Sequence, residues 1–268
     1  MVIRSDGAVC PTLKRVKKVD YDERLYQVYS DARAVAPGAM AIWMAAFSRW
    51  LPERRPLTIL DLGSGTGRFS PALAESFGGP VHGVEPSERM REVALREAAH
   101  SAVKYLPGSA DAIPLPDASC DAALLYFVWH HVGDKPAAAL ELLRIVQPGG
   151  VLLVRTNLSD RMPRLWWYAQ FPRAEAVDRE IYEPLRVVRA TFEAAGWRWI
   201  ALDEVTAETA RSRRHDFERL QKRALSTFEH LTETEITEGF AAVESALEAD
   251  PTDGPVAATA DLLVFAHP

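Results

Sequence analysis

Between residues 57 and 154 the chain alternates short apolar runs with segments whose apolar positions recur every three or four residues. Leu57 to Leu62 is one such run, free of Gly and Pro, and it predicts a buried strand. Phe69, Leu73, Ala74 and Phe77 then share one helical face until Gly78-Gly79-Pro80 ends the pattern. Val81 to Val84 predicts a second strand, and Ser87 caps a helix running from Glu88 to about Ala99. Val103 to Leu106, Asp121 to Phe127 and Val151 to Val154 predict three more strands. A helix carrying Leu140, Leu143 and Val146 lies between the last two.

The flanks read differently. Residues 1 to 20 carry scattered charge without period and predict a loose arm. Tyr21, Leu25, Val28 and Tyr29 fall on one helical face, and after Pro37-Gly38 a second amphipathic helix spans Met40 to Leu51. Beyond the fifth strand, Asp160 to Glu183 is rich in aromatic residues. A helix over Pro184 to Ala195, a sixth strand over Trp197 to Val205, one or two long helices over Arg211 to Ala249 and a terminal strand over Ala257 to Ala266 complete the pattern. This predicts an α/β protein with an N-terminal arm and cap helices at 1–56, a core at 57–268, and helical cap insertions at about 160–183 and 207–250.

The chemistry concentrates where the first strand breaks into Gly63-Ser64-Gly65-Thr66-Gly67 and a helix follows. Glycines let backbone approach a ligand closely, and the helix start offers free N–H groups. One strand later Glu85 ends Val81-His82-Gly83-Val84, where a carboxylate suits the two hydroxyls of a ribose. Both NAD enzymes and S-adenosylmethionine enzymes use that arrangement. A dinucleotide fingerprint requires its third glycine at position 68, where this chain has Arg68. Asp61, on a strand predicted to be buried, requires partners for its carboxylate.

Asp61-Leu-Gly-Ser-Gly-Thr-Gly67 resembles the first motif of the class I S-adenosylmethionine-dependent methyltransferases, and Gly83-Val-Glu-Pro-Ser87 their second. The resemblance continues through Leu106 to Asp117, Cys120 to Leu125 and Arg144 to Leu152, and is nearest to the small-molecule and ubiquinone/menaquinone-type subgroup. It implies a Rossmann-like, seven-stranded, mostly parallel sheet with helices on both faces, the last strand inserted antiparallel, and a helical cap that selects the acceptor. It also implies a cofactor site of Asp61, Gly63, Ser64, Gly65, Gly67 and Glu85, with Pro86, Met90, Ala110 and Phe127 alongside. In the family an acid after the third strand takes the adenine amine. Here either Ser109 or Asp111 fills that place. Arg33, four residues from Tyr29, is a candidate for the cofactor carboxylate.

The resemblance says less about the acceptor. Methyl transfer is an in-line displacement, so the protein chiefly aligns the nucleophile and excludes water. His130 and His131, at the end of the fourth strand, are candidates for removing an acceptor proton or for positioning it. Tyr21, Tyr29, Trp129, Trp166, Trp167 and Tyr168 are candidates for an aromatic wall around a small, apolar or aromatic acceptor. A net charge of −6 argues against a nucleic-acid partner and hence against an RNA methyltransferase. No stretch is long and apolar enough to span a membrane, no metal-ligand spacing is present, and the two cysteines do not form a disulfide framework. The expectation is a cytoplasmic monomer or homodimer. An RNA methyltransferase, the runner-up within the class, a cofactor-binding cyclase or regulator that does not methylate, and less favourably an NAD-dependent oxidoreductase, are the alternatives.

Overall fold

A computed structural model describes Val35, residues 37–250 and residues 252–268. Tyr21, Tyr29 and Arg33 therefore lie outside the described residues. The first described helix, α1, is Pro37–Ser48, followed by β1 (Leu57–Leu62), α2 (Ser70–Phe77), β2 (Gly78–Val84), α3 (Glu88–Glu97) and β3 (Val103–Leu106). Then come β4 (Cys120–Tyr126), α4 (Lys135–Ile145), β5 (Val146–Arg155), α5 (Ala174–Ile181) and α6 (Leu185–Ala194). The chain ends with β6 (Arg198–Ala210), α7 (Arg213–Leu220), α8 (Glu233–Ala249) and β7 (Val256–Ala266).

The strands form one seven-stranded sheet in the order β3-β2-β1-β4-β5-β7-β6. β7 runs antiparallel between β5 and β6, and the other pairs are parallel. Side chains alternate between the faces, as strand geometry requires. Leu57 and Ile59 join Phe47 of α1 and Leu73 and Phe77 of α2 on one face. Leu60 and Leu62 join Leu142 of α4 and Phe192 of α6 on the other. With both faces covered, the central strands read as continuous apolar runs.

Several boundaries differ from the sequence expectation: β5 begins at Val146 rather than Val151, and β6 runs to Ala210 rather than Val205. β2 begins at Gly78, where backbone alone pairs with Leu57. The one or two helices expected over 211–249 are two, α7 and α8, separated by a 3₁₀ segment at Ser226–His230, and α8 opens on a Thr232/Glu235 capping box.

The segments after β5 and β6 pack into a separate apolar cluster. Trp167, Tyr168 and Phe171 meet Phe217 of α7, Phe228, and Ile236 and Val243 of α8. β6 and β7 run past the end of the parallel sheet and carry this cap above the carboxyl ends of β4 and β5. Among the described residues no helix is long and apolar enough to cross a membrane, and no group of three or more His, Cys, Asp or Glu is arranged to hold a metal.

Candidate active site

β1 hands over to α2 through Gly63, Gly65 and Gly67, whose φ angles are 66°, 56° and 77°. These are left-handed conformations that glycine adopts without strain. The turn is fastened to its neighbour: the Gly63 N–H donates to the Val84 carbonyl at 2.7 Å, and the Gly67 N–H to that of Ser64 at 2.9 Å. Behind it Asp61, only 3% exposed, accepts a 2.6 Å hydrogen bond from Ser70 Oγ and so ties the end of β1 to the start of α2.

Burial raises the Asp61 pKa to about 6, against the opposing effects of the Ser70 bond and the Arg68 charge. In the unfolded chain it titrates at its ordinary 3.8, so the folded state holds the extra proton between those values. Stability from this group is full below about pH 4 and lost as pH rises through about 6. Asp61→Asn keeps an acceptor for Ser70. It is expected to raise stability at pH 7 by about 1–3 kcal/mol and to flatten the decline above pH 4. Denaturant unfolding across that range checks this, and an unchanged profile contradicts it.

β1 and β2 are in register, with Leu62 opposite Val84, so Glu85 follows directly beside the turn. It is 8% exposed, and its carboxylate accepts the Gly65 N–H at 3.1 Å and the Ser87 N–H at 2.9 Å. A carboxylate offers about four lone-pair positions and accommodates ribose hydroxyls beside such amides. Met90 is buried on α3 and Pro86 is exposed. After β3, Ser109 Oγ donates to Asp111 Oδ1 at 2.5 Å, a bond that holds the Asp111 carboxyl below its ordinary pKa. Ala110 lies half-buried between them. The loop is clamped from α4: Arg144 donates to the carbonyls of Ile113 and Leu115 at 3.1 and 3.0 Å, and Glu141 accepts the Ile113 N–H at 2.9 Å.

The β4 tip carries the strain. Phe127 has φ 60°, a left-handed conformation rare for a non-glycine residue, and its N–H donates to the Arg155 carbonyl at 2.8 Å. The Arg155 guanidinium lies 4.2 Å from the centre of the Phe127 ring. Next comes the 3₁₀ turn Trp129–His131. The His130 and His131 rings are 3.9 Å apart, and His130 is 4.8 Å from Tyr182. Burial, aided by the Lys135 charge, lowers the His131 pKa to about 4, so this imidazole is neutral near pH 7. It contributes stability present above about pH 6.5 and lost as pH falls toward 4.

A cavity of about 280 Å³ opens here. Arg68, Phe127, His130, His131 and Arg155 line its sheet end, and Trp166 and Trp167 line it from the cap. Two residues expected on this wall sit elsewhere. Trp129 is 1% exposed and packs inward at 4.4 Å from Phe192, its indole N–H donating to Glu183 at 3.1 Å. The tight turn sends successive side chains in different directions, and the indole faces the core. Tyr168 stands behind the wall, its hydroxyl donating to Asp178 at 2.6 Å, while Asp178, which accepts a second 2.6 Å bond from Thr227, reaches the cavity. Arg155, Asp178, Trp43 and Tyr126 line it too and were not picked out from the sequence. For Arg155 a signal existed, a single charge closing an apolar strand, as with Glu85.

Residues 60–154 match the family model described as a methyltransferase domain. An uncharacterised methyltransferase of Mycobacterium tuberculosis is 41% identical over 118 residues, which cover 44% of this chain and 46% of that one. A malonyl acyl-carrier-protein O-methyltransferase of Serratia marcescens is 41% identical over 108 residues (40% and 41%). A demethylmenaquinone methyltransferase of Lactococcus lactis is 33% identical over 122 residues (43% and 48%). The chain spans about half the length of these curated relatives. Among solved structures, an Anabaena variabilis protein described as a methyltransferase from an antibiotic biosynthesis pathway superposes with a TM-score of 0.70 at 21% identity, over 84% of this chain and 96% of that one. The cyclase SpnF superposes at 0.59 and 21%, over 89% and 84%. At such identities the structures share the fold alone. Over residues 60–154 this chain is thus similar to methyltransferase domains.

Proposed function

We propose that the protein transfers a methyl group from S-adenosylmethionine to a small molecule held in the cavity between the sheet and the cap. S-adenosylmethionine supplies an electrophilic methyl on a sulfonium when bound. Glu85 would take the ribose hydroxyls, the Ser109–Asp111 pair the adenine, and the glycine turn the methionyl end. Two observations support the fit. The Glu85 carboxylate already accepts the N–H of Gly65 in the turn, and Ser64 Oγ is buried with no hydrogen-bond partner among the described residues.

The observation that carries the proposal is where the cavity lies. It begins beside the glycine turn at Arg68, passes the β4 and β5 tips, and ends under the cap tryptophans. Aromatic walls hold a flat acceptor in line and keep water out. His131 is a weak base at a pKa of about 4, which supports a positioning role for it rather than proton abstraction. The rate of transfer should then show no inflection near pH 6.5 from this histidine. A pH–rate profile that loses such an inflection on His131→Asn contradicts that role.

The test of the function is incubation with methyl-labelled S-adenosylmethionine and a panel of flat aromatic acceptors. Label in the acceptor and formation of S-adenosylhomocysteine are expected. Cofactor binding without transfer to any acceptor favours the non-methylating alternative.

A further inference from the structure

The buried face of α5 is Ala174, Val177 and Ile181, with one exception, Asp178. Asp178 is 4% exposed, yet it lines the cavity. A carboxyl buried among apolar groups requires partners for its oxygens. Two hydroxyls supply them, Tyr168 donating to Oδ2 and Thr227 to Oδ1, each at 2.6 Å. A carboxylate has about four acceptor positions, so these two bonds leave room for a third donor. Burial raises the Asp178 pKa, and both hydroxyl bonds oppose the rise. A third donor would favour the carboxylate in the same way. Contacts on either side tie this carboxyl to walls already described. Tyr182 lies one helical turn beyond it, its N–H donating to the Asp178 carbonyl at 3.0 Å, and the Tyr182 ring is 4.8 Å from that of His130 after the β4 tip. Tyr168, which holds the carboxyl, is 4.8 Å from Trp167 of the cap. Tyr182, His130, Trp167 and Thr227 line the same cavity as Asp178.

Resting on the methyltransferase function above, we propose that the methyl acceptor is a flat molecule bearing a hydrogen-bond donor, a hydroxyl or an N–H, and that the Asp178 carboxyl receives this donor. Asp178 is then a specificity-determining residue of the acceptor cavity. The hydroxyls of Tyr168 and Thr227 fix the direction of its oxygens, so the bond selects both the acceptor and the edge it presents. A hydrogen bond to a charged group in a buried site discriminates strongly, because an acceptor lacking the donor leaves the carboxylate without a replacement for water.

The test is calorimetric titration of protein loaded with S-adenosylhomocysteine, using two matched pairs, 2-naphthol against 2-methoxynaphthalene and indole against 1-methylindole. In each pair a methyl replaces the donated proton. At least one donor is expected to bind about ten-fold or more tightly than its methylated partner, and which one it is separates hydroxyl from N–H. Asp178→Leu should abolish that preference and Asp178→Asn, which keeps a carbonyl oxygen, should reduce it to about three-fold, with S-adenosylhomocysteine affinity unchanged in both. Equal or tighter binding of the methylated member in both pairs overturns the proposal, as does failure of every probe to bind. A preference that survives Asp178→Leu also overturns it, because the methylated probes are then excluded by size alone. So does a fall in S-adenosylhomocysteine affinity in Asp178→Asn, which would make the carboxyl a support of the cofactor site. Asp178→Leu strands the Tyr168 and Thr227 hydroxyls, and if it folds poorly Asp178→Asn decides, an undiminished preference there overturning the proposal. Failure of S-adenosylhomocysteine to bind the unmodified protein breaks the methyltransferase function itself, a separate result.

Discussion

Glu85→Ala is expected to lower the affinity for S-adenosylhomocysteine by about 30- to 150-fold, roughly 2–3 kcal/mol, the worth of hydrogen bonds to a charged group. The carboxylate is buried at the β2 tip, and its oxygens are aimed at the turn by the amides of Gly65 and Ser87. Removing it takes away the acceptor proposed for the ribose hydroxyls. It also strands two backbone donors, so a modest loss of stability accompanies the loss of affinity. Glu85→Gln separates the two effects. It retains a carbonyl acceptor but not the charge, and a loss of about ten-fold is expected. Calorimetry on both variants measures this. Affinity for S-adenosylhomocysteine that survives Glu85→Ala would mean the cofactor lies elsewhere.

Gly67→Ala is expected to destabilise the protein by about 3–5 kcal/mol, combining backbone strain with overpacking. Its φ of 77° is left-handed, and a Cβ there would stand 2.2 Å from the Tyr105 hydroxyl, 2.7 Å from Cζ of that ring and 2.9 Å from the Ala98 Cβ. The tyrosine cannot swing aside freely because its hydroxyl donates to the Ala98 carbonyl at 2.9 Å. Gly149 supplies the control, with φ 79° and nothing within 4 Å of its would-be Cβ. Gly149→Ala should cost only the backbone term, about 1 kcal/mol. Denaturant unfolding of the two variants tells strain from overlap, and equal losses contradict the crowding.

The parts of the fold carried by local pattern were legible in the sequence. β1, β4 and the core of β5 are buried on both faces, so each is an apolar run with a clear end. The glycine turn and Glu85 stand out because a buried strand closing on glycines or on a carboxylate needs a reason. Asp61 was legible as a group needing partners, but its partner, Ser70, is set by the turn's path. Directions of side chains in the tight turn after β4 were not legible. Trp129, His130 and His131 are adjacent in sequence, yet one enters the core while the others line a cavity. Trp166-Trp167-Tyr168 reads as one aromatic run and hence as wall, whereas in the fold the Tyr168 hydroxyl serves Asp178. Asp178 itself carried no signal. Its meeting with Thr227, 49 residues away, is a product of cap packing that no local pattern encodes. The division between α7 and α8 was more accessible, since Thr232 and Glu235 spell a helix start within 211–249.

Calorimetric titration of the purified chain with S-adenosylhomocysteine and with NAD tests the account most directly, because the sheet, the glycine turn and Glu85 converge on that one ligand. Saturable one-to-one binding of S-adenosylhomocysteine, with no heat from NAD, is the predicted result. Binding of NAD in its place would contradict the account, showing that Arg68 in the third glycine's position does not exclude a dinucleotide.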